Sequence, residues 1–456
     1  LAGMPRQAPS IYDCIGHPEF KTDPFFANGW APEANDILLA LIPEWTMQHT
    51  SREIFELATE FRTPFSMIPT PRELLEWPGL VETNFWHQVE HPVLGPHPLP
   101  SGPVSFDGDR GEQRRAPLVG EHPDEIRAAL EDLPASSDTA SDTSDAPNAA
   151  DLPLAGLRVV DATQVWAGPY ACRYLGDMGA DVIKIEGPAF PDSVRGLGGV
   201  ATAESVNLSA YFNEYIRNKR GLAIDLQQPE GAAALKRILA TADVFVENWS
   251  SGVADRLGLG YDQLHELNPK LIYVSMPGFG HEGPDAARVG YGPTIEQMGG
   301  LVALQGYEGG PPHKSGISYG DPVSGTTTAG AGAVALHRRE RTNEGCYIVV
   351  PQRDGIVGLV GELTELFIRN LELVAQRTQL GADGAKLALD LNFGHRQHSS
   401  PVGSHGFCGM IGRCVAPPPS SLWRRPWACS RWPAGTVLRQ HVPSCGSDRT
   451  RKAGFT

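Results

Sequence analysis

Cysteine is scarce in this chain, with seven residues in 456. Cys14, Cys172 and Cys346 are scattered, which suits a reducing cytoplasm rather than a disulfide framework. Cys408, Cys414, Cys429 and Cys445 crowd the end without a C-x-x-C pair or a Cys/His finger spacing, so no metal site is expected. No apolar run is long enough to span a bilayer, and no signal peptide is evident. Positive charge is also short: 38 Lys and Arg stand against 53 Asp and Glu, a formal net charge of −15. That balance argues against nucleic acid or an anionic membrane as a general partner. A phosphate-bearing ligand would need its own local Arg and Lys residues. The fingerprint G-x-G-x-x-G is missing as well, because only Gly168 lies in the turn that would carry it. This argues against a nicotinamide dinucleotide.

What is present is organised around residues 157–186, LRVVDATQVWAGPYACRYLGDMGADVIKIE. An apolar run, a turn at Gly168-Pro169, a helical spacing of Tyr170, Cys172, Tyr174 and Leu175, and a second apolar run at Val182 to Ile185 read as strand–helix–strand. Such a unit leaves backbone N–H groups free at the helix start, where a phosphate can sit. At this length two or more domains are expected. Before the central stretch, residues 51–61 predict a helix capped by Ser51. Residues 70–80 predict a short helix ended by Pro78, and residues 85–93 a strand. After it, NKRGLAIDL gives a basic turn and a strand, residues 229–242 a helix, and ADVFVENW a buried strand. The order βαβαβ implies a parallel sheet with helices on both faces. Between the two parts, residues 134–153 are rich in Ser, Asp, Ala and Thr and predict a flexible linker. From about residue 395 the composition turns to Arg, Pro, Ser, Cys and Trp without periodicity. It reads as a disordered or out-of-frame tail.

The central stretch resembles the opening of a repeat of the family III CoA-transferases, the CaiB/BaiF type that includes formyl-CoA transferase, carnitine CoA-transferase and the related α-methylacyl-CoA racemases. NKRGLAIDLQQPEG, ADVFVENWSSGVADRLGLGYDQL, NPKLIYVSMPGFG and EGPDAARVGY fit the same pattern. FKTDPFF, PTPRELLEWPGL, VEHPVLG and RRAPLVGEHPDEI resemble the closing part of such a repeat, yet they come first. The resemblance therefore implies a tandem-repeat member: residues 1–133 close a first repeat, 134–153 link, and 154–394 open a second. It implies a chain that begins inside a longer product and ends disrupted. The implied fold is α/β, a Rossmann-like parallel-sheet large domain with a smaller α+β domain.

By that resemblance Asp321, in SGISYGDPVSG, is the catalytic nucleophile toward an acyl-CoA thioester. On spacing alone the same carboxylate reads as a helix N-cap. Val165, Ile224, Asn248, Arg256 and Leu257 are the implied CoA-binding residues, with Lys219 and Arg220 as further candidates. Coenzyme A or acyl-CoA is then a substrate, with no permanently bound cofactor. A carboxylic acid is the second substrate, and the partner is an interlocked dimer or an intrachain pseudo-dimer. Trp166 and Gly292 stand where the formyl-CoA transferase pattern has Gln and Glu. Oxalate and formate are thus poor substrates to expect, and Trp166 suits a larger or more apolar acyl group or plain core packing. Tyr291 stands where the racemases have a His. An ordinary tyrosine, titrating near ~10, is a poor second base. His281 reads as a surface turn residue, and Glu296 as a pocket carboxylate or a helix residue. Two alternatives stay open: an acyl-CoA racemase on the same fold, and a CoA-binding remnant without turnover.

Overall fold

A computed structural model describes residues 7–26, 32–92, 95–119, 121–131, 152–188, 190–196 and 205–361. The expected tail, and all of the expected linker but its last two residues, lie outside them.

The N-terminal segment is built from short helices: α1 (Ala8–Cys14), α2 (Pro32–Thr46), α3 (Ser51–Glu60), α4 (Pro71–Leu75) and α5 (Pro78–Val81). The cap of α3 is Thr50, not Ser51. Thr50 Oγ1 accepts the Glu53 N–H at 3.2 Å, and Glu53 Oε2 accepts the Thr50 N–H at 2.7 Å. Two helix-end donors are satisfied reciprocally that way, which Ser51 could not do one residue later. Thr70 and Glu73 repeat the device on α4. Pro78 does not end that helix; α4 stops at Leu75, and Pro78 opens α5, where its missing N–H costs nothing. A hairpin of β1 (Trp86–His91) and β2 (Gly95–Pro100), a short β3 (Ser105–Phe106) and α6 (Pro123–Glu131) follow.

The second segment runs β4 (Arg158–Asp161), α7 (Ala167–Asp177), β5 (Asp181–Glu186), α8 (Ala210–Ile216), β6 (Lys219–Ala223), α9 (Pro229–Leu239) and β7 (Val244–Glu247). It continues through α10 (Val253–Arg256), α11 (Tyr261–Leu267), β8 (Ile272–Ser275), α12 (Gly292–Met298), α13 (Gly320–Thr342) and β9 (Cys346–Val349). The helix expected to reach residue 242 stops at Leu239. The strands form a 7-stranded sheet in the order β3-β9-β8-β7-β4-β5-β6, with only β3 antiparallel to its neighbour. The parallel strands are doubly wound, and the connections change direction between β4 and β7. In such sheets ligands bind at the carboxyl ends of the strands beside that switch point.

Apolar residues cover both faces of the sheet. Cys172 and Leu175 of α7 and Ala331, Ala335 and Leu336 of α13 pack with Val159, Val182, Val246 and Val274. On the other face Leu235 and Leu239 of α9 and Leu264 of α11 pack with Val160, Phe245 and Tyr273. A third cluster joins the two segments: Phe55, Leu74, Trp77, Leu80 and Phe85 bury against Ile295, Met298 and Ile356. Polar groups pin the same junction. Asp285 Oδ2 accepts Trp77 Nε1 at 2.8 Å and Arg353 Nη1 at 2.7 Å, and Arg110 Nη2 donates to Asp354 Oδ2 at 2.7 Å.

Four charges lie fully buried under the β4–α7 turn. Lys219 Nζ donates to Asp161 Oδ2 at 2.8 Å and to Pro169 O at 2.7 Å. Lys184 Nζ pairs with Asp192 Oδ2 at 3.2 Å and donates to Thr163 O. Burial pushes the Asp161 carboxyl up, but Lys219 and Lys184 outweigh it and hold its pKa at about 2. Removing one partner strands an uncompensated charge. Lys219→Met is expected to cost about 3–5 kcal/mol in denaturant unfolding. The double change Lys219→Met with Asp161→Leu is expected to recover part of that loss. Equal stability of wild type and Lys219→Met would show that the network adds nothing.

Candidate active site

β4 ends in the turn Thr163 to Trp166, and its geometry decides where α7 begins. Val165 sits at φ +73°, in the left-handed region. A β-branched side chain there is a strained outlier, costing about 1–3 kcal/mol. The turn is held from both sides. The Val165 N–H donates to Asp192 Oδ1 at 3.0 Å, so the buried charge network reaches the backbone directly. The Asn248 side chain, just past β7, accepts the Gln164 N–H at 2.8 Å and donates to Gln164 O at 2.8 Å. Asn248 thus clamps the two strand ends across the switch point.

Asp321 is the second residue of α13, and the backbone N–H of Ala167, the first residue of α7, lies close enough to its carboxylate to lower the pKa. Two helix N-termini therefore converge on one acid, each favouring negative charge. The approach is close because both faces are small. A Cβ on Gly325 would lie 2.7 Å from Ala167 O, and one on Gly292 would lie 1.8 Å from Asp321 Oδ2. Only glycine fits at residue 292 in this arrangement. Asp321 is 8% exposed. Burial raises its pKa to about 7, and the Ala167 N–H offsets only part of that. The carboxylate is consequently more basic than an exposed one and titrates near neutrality.

Asp321 opens into a cavity of about 760 Å³ that Val165, Ile224, Asn248 and Leu257 also line. Of the residues singled out from the sequence, Tyr291 lines it too, while Arg256 does not; Arg256 is exposed one position before Leu257. Lys219 is buried on Asp161, and Arg220 pairs with Asp181 at 2.7 and 2.6 Å, so neither lines the cavity. Trp166 stacks on Tyr215, with centroids 5.4 Å apart, and lies outside the lining. Glu296 is fully buried and ties down the loop before Asp321, accepting Ser315 Oγ at 2.8 Å and the Tyr319 N–H at 3.0 Å. His281 is no surface turn residue. It is half-buried beside a separate cavity of about 260 Å³, where Nε2 meets Ser275 Oγ at 2.8 Å. Ser275 Oγ in turn donates to Glu247, whose pKa burial raises to about 7.

Sequence reasoning missed three things here. One is the pair Lys184 and Asp192, signalled only by a lysine at an inward position of an apolar strand. Another is α8, whose Tyr211 and Tyr215 form the aromatic wall around Trp166. The last is the share of the cavity taken by Gln7, Ser10 and Arg62 from the N-terminal segment.

The description of CoA-transferase family III fits residues 1–123 and 154–381. A succinate–glutarate CoA-transferase from Agrobacterium fabrum is 42% identical over 199 residues, covering 43% of this chain and 50% of that protein. A succinyl-CoA:glutarate CoA-transferase from Mus musculus is 39% identical over 197 residues, covering 43% and 44%. Among solved structures, a CaiB/BaiF family protein from Brucella suis superposes with a TM-score of 0.45 at 36% identity, covering 48% of this chain and 58% of that one. The chain spans about half the length of the curated relatives it matches.

The raised pKa of Asp321 sets a pH dependence. Below about pH 4 the acid is neutral both folded and unfolded, and its burial costs nothing in this respect. Between pH 4 and 7 the unfolded chain releases the proton while the folded one retains it, so stability falls as pH rises. Above 7 the full penalty stands. Asp321→Asn should therefore stabilise the fold by about 2–4 kcal/mol at pH 8 and by almost nothing at pH 4. Thermal unfolding across that range reads this directly, and a pH-independent difference would contradict the assigned burial.

Proposed function

The chain belongs to CoA-transferase family III, and we propose that it moves CoA between an acyl-CoA thioester and a carboxylic acid through Asp321. The observation that carries this reading is the desolvated carboxylate itself. It stands at two helix N-termini, backed by the bare backbone of Gly292, on the wall of a cavity that takes in the turns after β4, β6 and β7. Asp321 attacks the thioester carbonyl carbon and expels CoA as thiolate, leaving an acyl-aspartyl anhydride. The thiolate then attacks the aspartyl carbonyl and releases the donor acid, leaving an aspartyl-CoA thioester. The acceptor carboxylate reverses these steps and departs on CoA, and the Asp321 carboxylate is restored. Covalent catalysis of this kind splits one difficult exchange into easier ones. The helix-start N–H groups offer stabilisation for the oxyanion in each addition.

The named relatives act on succinate and glutarate, and a short dicarboxylic acid is the substrate class we propose here. CoA itself would enter along Val165, Ile224 and Leu257, with Arg256 at the phosphate end and Asn248 fixing the turn. The N-terminal segment supplies Gln7, Ser10 and Arg62 to the cavity. We propose that it stands in for the closing domain of an interlocked partner, as in a pseudo-dimer within one chain. A cytoplasmic location belongs to the same reading. A racemase would need a second base near Asp321. Tyr291 occupies that wall, and His281 is engaged with Ser275 and Ser251 at the other cavity.

Two measurements test this. Incubation with a reactive acyl-CoA followed by hydroxylamine should place a hydroxamate on Asp321, visible by peptide mass, and Asp321→Asn should abolish it. Solvent deuterium entering the α-position without an adduct would support the racemase instead. Arg256→Ala should weaken CoA binding by about 1.5–3 kcal/mol, the worth of a charge-assisted contact. Unchanged affinity in calorimetry would remove Arg256 from the site.

A further inference from the structure

We infer that Arg62 selects the acyl group: its guanidinium, supplied by the N-terminal segment, binds the free carboxylate at the far end of a dicarboxylic acyl-CoA. The inference rests on the CoA-transfer reading of Asp321 and adds the residue that reads the substrate.

The first observation is backbone strain. Arg62 follows the last turn of α3 at φ +53°. Its N–H donates to Thr59 O at 3.3 Å, and the Thr63 N–H donates to Ala58 O at 2.9 Å. That pair of bonds is the Schellman ending, whose left-handed residue is ordinarily glycine. Glycine would adopt this φ without strain, so building the helix end does not call for a long side chain.

The second observation is charge. Among the described residues lining the large cavity the cations are Arg62 and Arg288. Arg288 is engaged: Nε donates to Asp285 Oδ1 at 2.8 Å, Nη1 to Phe55 O at 3.0 Å and to Thr59 Oγ1, and its guanidinium lies 3.5 Å over the Phe55 ring. The Arg62 side chain is exposed and forms no hydrogen bond or ion pair among the described residues. It is the cation of this lining still available to a ligand, and a guanidinium suits a carboxylate by its two-pronged geometry.

The third observation is position. Arg288 grips α3 at Phe55 and Thr59, one turn ahead of Arg62. From Arg288 the wall continues through Val289, Gly290 and Tyr291 to Gly292, which backs onto Asp321. Arg62 therefore belongs to the wall that leads to the nucleophile, whereas the expected CoA-binding turns come from the strand ends of the sheet.

The experiment is calorimetric titration of the full chain with CoA and with two unreactive CoA thioethers, one ending in a carboxylate and one in a methyl group. Wild type is expected to prefer the carboxylate-ended thioether. Arg62→Gly should weaken that ligand about tenfold, change the other two by less than about twofold, and leave the melting temperature equal or higher. Arg62→Lys should keep part of the preference. Equal weakening of all three ligands would mean that Arg62 meets a phosphate of CoA, and no change in any would leave it a helix-end cation; either result overturns the proposal. If wild type binds none of the three, the CoA reading fails and this inference with it. Tight binding of all three by both proteins defeats the Arg62 assignment alone.

Discussion

The structure depends on four charges that water does not reach. The side chains of Asp161, Lys184, Asp192 and Lys219 are fully enclosed under the turn that follows β4. Removing such ions from water is expensive, and a buried pair seldom stabilises a fold more than apolar residues of the same volume would. What this network does is geometric. Asp161 receives the Thr163 N–H at 3.0 Å and Asp192 receives the Val165 N–H at 3.0 Å. The turn between them cannot relax to ordinary backbone angles without leaving one of those acids short of a donor. Val165 is kept at a φ that its side chain disfavours, and α7 starts beside Asp321 on the cavity wall.

The acid is tuned by what surrounds it rather than by a charged partner. No cation contributes to the shift at Asp321, which comes from burial opposed by one backbone N–H. Small residues make that burial possible. Gly320, Ser324, Gly325, Thr328 and Ala331 are buried on α13, which lets α7 approach it closely. An arginine beside the carboxylate would have held it ionised and weakly basic. The helix ends stabilise the anion enough for it to exist near neutrality, and leave it as basic as the proposed attack on a carbonyl requires.

The periodic parts of this arrangement were legible. The strand–helix–strand at residues 157–186, the parallel sheet and the small-residue setting of Asp321 all follow from apolar spacing and the G-D-P-V-S-G string. Side-chain destinations were less so. Lys219 reads as a possible CoA contact in a basic turn, yet β6 points it inward onto Asp161 across the sheet. His281 reads as a loop residue, and only the fold carries it back to Ser275. The cap lies one residue from its expected place, Thr50 for Ser51, because the capping box needs its acid at the third position, and Glu53 stands three residues after Thr50 but only two after Ser51. Positive φ at Val165 and Arg62 left no trace in the sequence, because neither residue type advertises it.

The order of the segments bears on the site as much as the residues do. The N-terminal helices, β3 and Arg110 precede the parallel sheet in the chain, yet β3 extends that sheet at β9, and Trp77 and Arg353 share Asp285 in the junction. Arg353 and its two aspartates belong to the second segment, but Trp77 Nε1 on Asp285, Gly79 O on Arg353 and Arg110 on Asp354 come from the first, and either half alone would leave these groups without their partners. Within one chain both halves are present at high effective concentration. The same junction sets α3 on Arg288 and so aims the end of α3 at the cavity. On the proposed reading, selection of the acid and the chemistry at Asp321 would be held in register by an interface buried in the core, while the end proposed for CoA would depend on the sheet alone. Substitutions in the junction should alter which acid is accepted before they alter whether CoA binds.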